Sequence, residues 1–294
     1  MLKRIGCSSA NESGHNRGMT NYEELKDIAV EIAVLTATEI ARKRAELGDV
    51  RAYTQTKSSP VDPVTVVDTF AEELISGELE RLRPADGLIG EEGSSRVATS
   101  EVTWIVDPID GTVNFLYGLP QYAVSIAAAV DGQVVAGAVI NVATGELFSA
   151  AAGRGATRRL NGVETVLQAS QETQVRQSLV ATGFGYSATR RQAQSALVAR
   201  LLPQIRDIRR LGSAALDLCM VAAGEVDAHF EHGLNAWDFA AGALIAAEAG
   251  AKVRTPSLST PGDAGEIMLV TAPGIWDEFH GVLDEIGACN PVAR

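Results

Sequence analysis

The sequence predicts an α+β arrangement leading into α/β, with sheets and helices in layers. Three observations carry this. Two stretches before residue 83 place apolar residues at helical spacing. Residues from 122 to about 162 carry apolar runs broken by Asp-Gly and Asn-Gly pairs, the mark of an antiparallel meander. From about residue 178, short strands alternate with helices. With 294 residues the chain can bury a large core, as one domain or as two closely packed ones.

Residues 1–19 are polar, rich in Gly, Ser and Asn, and without periodicity, which is the composition of a disordered tail. An α+β part over 20–180 and an α/β part over 181–294 are expected to follow. Asn21 and Glu24 resemble a capping box, and Leu25, Ile28, Ile32, Leu35 and Ile40 keep helical spacing to about Leu47. The prolines and serines of Lys57-Ser58-Ser59-Pro60-Val61-Asp62-Pro63-Val64 forbid a helix until about Thr65, which can cap the next one. Phe70, Leu74, Leu79 and Leu82 mark that helix, which ends before Pro84. Asp68 falls in its first turn. Taken alone, Asp68 reads as a surface acid matched to the helix dipole, and Lys57 as a solvated charge.

Leu88-Ile89-Gly90 is a short apolar run ending in Glu91-Glu92. Neighbouring side chains of a strand point to opposite faces, so only one of the two acids can easily reach a shared site. The stretch Trp104-Ile105-Val106-Asp107-Pro108-Ile109-Asp110-Gly111-Thr112-Val113-Asn114-Phe115 sets two carboxylates three residues apart where an apolar run breaks. Val102 to Val106 suits a buried strand, and Pro108 is expected to stop it for want of an N–H. Asp110-Gly111-Thr112 then reads as a helix start or tight turn whose free N–H groups suit an anion, with Gly111 allowing close approach. Two carboxylates beside an anion site are compatible only with a cation between them, so the stretch reads as a Mg²⁺-bridged phosphate site. Asp-Pro and Asp-Gly are also ordinary turn formers, and in isolation the two acids could simply cap a loop.

Tyr122 to Val130 and Gln133 to Asn141 are strands joined by the hairpin signal Asp131-Gly132. Glu146 to Ala151 is a third strand, and Asn161-Gly162 a further turn. Beyond them come a strand from Ser178 to Thr182, a helix near Arg190 to Leu202, a strand from Asp207 to Arg210 and a helix from Ser213 to Ala223. Val226 to Glu231 is the next strand. Asp238 is expected to open a helix from Phe239 to Ala249, as a cap, a metal ligand or both. Lys252 to Thr255 and Glu266 to Ala272 are closing strands, and Ile275 to Ile286 a last helix.

The net charge of -12 argues against non-specific binding to nucleic acid or anionic membrane, and a phosphorylated substrate would need help from metal ions or helix N-termini. Cys7, Cys219 and Cys289 are odd in number and far apart, so no disulfide framework is expected and a reducing cytoplasm fits. No apolar run approaches the roughly 18 residues of a membrane span. The four histidines are scattered, leaving no candidate for a Ser–His or phosphohistidine mechanism.

Glu91-Glu92 after Ile-Gly, the block from Trp104 to Phe115, and Trp237-Asp238 before a small-residue helix together resemble the three signatures of the inositol monophosphatase family, close to its bacterial members. The segment from Lys57 to Asp68 matches too, and the likeness runs from about residue 21 to the end. It implies a layered αβαβα sandwich of the inositol monophosphatase and fructose-1,6-bisphosphatase type. It also implies Mg²⁺ held by Glu91, Asp107, Asp110, Asp238 and the Ile109 carbonyl, with Glu92 behind them in the catalytic set. Asp68 and the Thr112 hydroxyl would orient the attacking water, while the backbone of Gly111 and Thr112 receives phosphate. Gly212, Ser213, Ala214, Glu231 and Asp238 would line the substrate pocket, with Lys57 and Asp62 nearby. Asn235 stands where many animal members have His, so sugar specificity does not carry over.

The implied activity is Mg²⁺-dependent hydrolysis of myo-inositol 1-phosphate and related polyol phosphates, often Li⁺-inhibited and in a homodimer. The alternatives are fructose 1,6-bisphosphate, histidinol phosphate or a 3′,5′-bisphosphonucleotide as substrate, or a regulatory protein on the same fold. A second phosphate would need basic groups such as Arg190 with Arg191, or Arg209 with Arg210. A metal supplies the main requirements of the chemistry, since it lowers the pKa of bound water and neutralises phosphoryl charge.

Overall fold

The computed structural model describes residues 20–48, 50–56 and 63–292; the tail over 1–19, Lys57 and Asp62 lie outside them. The elements in chain order are α1 (Tyr22–Leu47), β1 (Thr54–Thr56), β2 (Pro63–Thr65), α2 (Val66–Leu82), β3 (Gly87–Gly90), β4 (Ser95–Arg96), β5 (Val102–Asp110) and α3 (Thr112–Tyr117). The meander is β6 (Ala123–Val130), β7 (Gln133–Asn141), β8 (Leu147–Ala151), β9 (Ala156–Leu160) and β10 (Val163–Val166). The remainder is β11 (Leu179–Thr182), α4 (Ala188–Leu201), β12 (Asp207–Arg209), α5 (Ala214–Ala222), β13 (Ala228–His232), α6 (Ala236–Glu248), β14 (Lys252–Arg254), β15 (Ile267–Thr271) and α7 (Trp276–Glu285).

Strand alternation builds the layers. On β6, Val124, Ile126 and Ala128 pack with α1 and α2, while Ala123, Ala127 and Ala129 face α5 and α6. On β15, Met268 and Val270 join that middle core, whereas Ile267 and Leu269 pack against Leu201 of α4 and Phe279 and Leu283 of α7. The result is the αβαβα sandwich. Its eight-stranded sheet runs β10-β9-β8-β7-β6-β5-β3-β4 and its five-stranded sheet β12-β11-β13-β15-β14. Asp131 and Asn161 adopt positive φ, as the hairpin turns require.

Three details depart from the sequence expectation. Pro108 does not stop its strand: β5 continues to Asp110 through a register shift against β6 between Asp107 and Asp110. The bulge absorbs the proline because Pro108 has no N–H to leave unpaired, and the Ile109 N–H is taken by Asp107 Oδ1 at 3.0 Å. The helix holding Asp238 begins two residues earlier than Asp238 itself. Asn235 is its cap, and Asp238, in the first turn, accepts the Asn235 N–H at 2.7 Å. Finally, Asn21 caps α1 through the Glu23 N–H, and Glu24 closes no box.

The expected Thr65 cap is present. Thr65 Oγ1 accepts from Val67 and Asp68 N–H, and Asp68 Oδ2 accepts the Thr65 N–H at 2.9 Å. Such a cap contributes about 1 kcal/mol and fixes where Asp68 points.

Candidate active site

Parallel pairing of β3 with β5 sets Gly90 beside Val106, so the next residue of each strand, Glu91 and Asp107, emerge together at the sheet's end. The Glu91 N–H donates to the Val106 carbonyl at 3.3 Å, and the Glu91 and Asp107 carboxyls are in hydrogen-bonding contact. The bulge turns β5 so that Asp110, three residues on, faces the same space. Asp110 Oδ2 accepts the Ser213 hydroxyl at 2.6 Å and the Ala215 N–H at 2.7 Å, so it lies against the start of α5. Asp238 arrives from the first turn of α6. Oxygens of Asp107, Asp110 and Asp238 lie within 4.8 Å of one another.

These carboxyls face a cavity of about 330 Å³, also lined by Glu91, Ile109, Gly111, Thr112, Gly212, Ser213, Ala214 and Glu231. The sequence candidates therefore converge, with four exceptions. Glu92 does not line the cavity: it sits in the turn after β3, where its N–H donates to Glu72 Oε2 at 2.7 Å. Lys57 and Asp62 lie outside the described residues. Asp68 stands one layer back. Thr112 Oγ1, which lines the cavity, is 3.1 Å from both Asp68 Oδ1 and the Ile109 carbonyl oxygen, with one hydrogen to give.

The backbone at the cavity floor depends on Gly111. Its φ of 93° is left-handed, and an added Cβ would come within 2.8 Å of the Gln121 carbonyl and 3.0 Å of that of Gly212.

Sequence reading missed two supports. Glu72 is buried and its carboxylate accepts N–H groups from Glu92 and Ser94, both at 2.7 Å, clamping the turn that carries Glu91. A signal existed, since Glu72 lies one helical turn after Asp68 on the same face. Asn114 Nδ2 donates to the carbonyls of Gln121 and Leu211, both at 2.7 Å, tying the Gly212–Ser213 segment to α3.

The electrostatics test whether a cation fits. Burial first, then the charge of Glu91 and the other acids, pushes Asp107 and Asp238 well above the usual carboxylate range. Asp110 is raised to about 6 by burial, against the hydrogen bonds from Ser213 and the start of α5. Among the described residues, no Lys, Arg or His forms an ion pair with Asp107, Asp110 or Asp238. Hard oxygen donors packed this closely must share protons or share a cation, and the donor set fits a divalent one.

The inositol monophosphatase family model matches residues 21–284. The chain is 48% identical over 281 residues to the inositol-1-monophosphatase SuhB of Mycobacterium tuberculosis, covering 91% of this chain and 96% of the relative. It is 39% identical over 229 residues to a Nus factor SuhB of Pasteurella multocida, covering 77% and 83%. The solved structure of Mycobacterium tuberculosis SuhB superposes with a TM-score of 0.80 at 44% identity, over 92% of this chain and all of that one. Together with the acidic cavity at the ends of β3 and β5, this likeness over nearly the whole chain shows that the protein belongs to the inositol monophosphatase family, whose members are metal-dependent phosphatases.

Proposed function

We propose that the protein hydrolyses myo-inositol 1-phosphate and related polyol monophosphates to the free alcohol and phosphate, with Mg²⁺ as cofactor. The observation carrying this is the convergence of Asp107, Asp110 and Asp238, together with Glu91, on one cavity. Those four carboxylates and the Ile109 carbonyl hold the cation. When bound, it lowers the pKa of water and neutralises phosphoryl charge.

The chain's own groups do the rest. Thr112 Oγ1 and Asp68 Oδ1, 3.1 Å apart, orient the attacking water, and the Asp68 carboxylate draws its proton. The N–H groups of Gly111 and Thr112 receive phosphoryl oxygens. Glu231 accepts from a substrate hydroxyl beside Gly212, Ser213 and Ala214.

Of the four arginines a second phosphate could use, Arg190 and Arg210 line the cavity, and three of the four are held by the protein itself. Nε and Nη2 of Arg190 donate to the carbonyls of Val292 and Asp263, Arg191 donates to Gly185, and Arg209 pairs with Asp207. Measured side by side, inositol 1-phosphate is expected to exceed fructose 1,6-bisphosphate, histidinol phosphate and a 3′,5′-bisphosphonucleotide in kcat/KM by about tenfold or more, one strong hydrogen bond's worth. A large preference for a bisphosphate rejects the reading.

Glu72→Ala is expected to lower the unfolding free energy by about 2 kcal/mol, by leaving two N–H groups without their acceptor. Activity should fall about tenfold or more as Glu91 shifts. Glu72→Gln, which keeps one acceptor oxygen, should fall between. Denaturant titration and phosphate release check both effects.

The relatives named Nus factor SuhB support a second reading, a regulatory binding protein on this fold. If the chain and its Asp110→Asn variant release phosphate equally poorly while a macromolecular partner co-purifies, that reading gains.

A further inference from the structure

Asp217, His229 and Glu231 form a row behind the cavity wall. Alternation along β13 sends Ala228 and Phe230 into the outer core, so His229 and Glu231 share the opposite face, toward α5 and Asp217. In the flanking strands His229 pairs in register with Ala181 and Val270, both apolar. The imidazole is fully buried. Its Nδ1 is 3.6 Å from Asp217 Oδ2 and its Nε2 is 3.8 Å from Glu231 Oε2. At those separations neither ring nitrogen is hydrogen-bonded, nor is Asp217 Oδ1.

A buried imidazole with both nitrogens unsatisfied costs stability that Phe or Leu in the same apolar site would not, so packing does not account for His229. Its two neighbours do: Asp217 and Glu231 both line the cavity, and the ring stands between them.

We propose that His229 is a positioning residue, which closes by less than about 1 Å onto Asp217 and Glu231 when a polyol occupies the cavity and holds the Glu231 carboxyl against a substrate hydroxyl. This rests on the polyol phosphate reading above. A neutral imidazole has one donor and one acceptor. Nδ1–H given to Asp217 leaves Nε2 to accept the carboxyl proton of Glu231, whose other oxygen is then free to accept from the substrate. Burial supports those states: it drives His229 down to about 3 and lifts Glu231 to about 7, a rise that the Arg210 charge opposes. The Glu231 carboxyl lies against Gly183, where an added Cβ would collide with it.

The test is steady-state kinetics of the full chain with Mg²⁺ on inositol 1-phosphate and on phenyl phosphate, whose leaving group carries no further hydroxyl. His229→Phe is expected to raise KM for inositol 1-phosphate about tenfold, one hydrogen bond's worth, and to leave phenyl phosphate within about twofold. Its melting temperature should not fall. His229→Gln, with a donor and an acceptor, should restore most of the loss, and combining His229→Phe with Glu231→Gln should cost no more than the worse single change. If His229→Phe alters neither substrate, or both equally, the inference is overturned; should that variant not fold, His229→Leu is read in the same way. A wild-type chain that hydrolyses phenyl phosphate but not inositol 1-phosphate overturns the substrate reading instead, and the inference with it, before any variant is compared.

Discussion

Asp110→Asn is expected to lower kcat/KM for phosphate release by about two orders of magnitude or more, with the protein still folded. The substitution preserves volume and an acceptor oxygen, so the Ser213 hydroxyl and the Ala215 N–H keep a partner and α5 stays attached to the end of β5. What it removes is one negative charge from a set of acids that repel one another. Without a cation that removal relieves strain, since burial already lifts the Asp110 carboxyl to about 6, and the variant should melt no lower than the wild type when both are stripped of metal. With Mg²⁺ present, the same change weakens the grip on the ion. Phosphate release and thermal melts, run with and without Mg²⁺, separate the two effects. Activity within tenfold of wild type would remove Asp110 from the metal set.

Chelation should have the second large effect. Turnover should vanish on removal of divalent cations. Restoring Mg²⁺ to about 100 times its dissociation constant at pH 7.5 should add about 2.7 kcal/mol of stability, an upward shift of about 4 °C for a chain of this size. The pH dependence has a definite sign. The folded-state pKa values of Asp107, Asp110 and Asp238 are raised, so in the metal-free protein their protonation contributes stability that is present below about pH 4. It is lost as pH rises through about 6 for Asp110, and as the raised carboxyls of Asp107 and Asp238 ionise. Metal binding needs the ionised forms and runs the other way. The melting shift produced by Mg²⁺ should therefore shrink between pH 7.5 and 5.5. An equal shift at both values, or none, contradicts a carboxylate cation site.

Much of the site could be read from the chain. The block from Trp104 to Phe115 is local: the Asp107 and Asp110 spacing, the left-handed Gly111 and the helix start at Thr112 lie within a few residues, where turn chemistry dominates. The Thr65 cap at the start of α2 is local in the same way, whereas Asp68, which closes a box with it, is buried and not the surface acid it resembles when read alone. Pro108 was misread because proline's effect on a strand depends on whether its neighbour is bulged, and the pairing of Asp107 with Ser125 and Asp110 with Ala123 is a property of β6 as much as of β5. Glu72 was missed because its partners, the N–H groups of Glu92 and Ser94, are 20 and 22 residues away.

No helix among the described residues is long and apolar enough to cross a membrane, as the absence of a long apolar run implied. The sequence by itself determined the element types, most of their limits, and which acids were candidates, because hydrophobic period, capping residues and turn pairs act over a few bonds. Only the tertiary structure decided which acids share a space. Glu91 meets Asp107 through parallel strand pairing, Asp110 rests on α5 across 103 residues, and His229 lies between Asp217 and Glu231 because β13 packs beneath α5. Those meetings depend on sheet order and layer packing, for which no neighbouring residue in the chain carries the information.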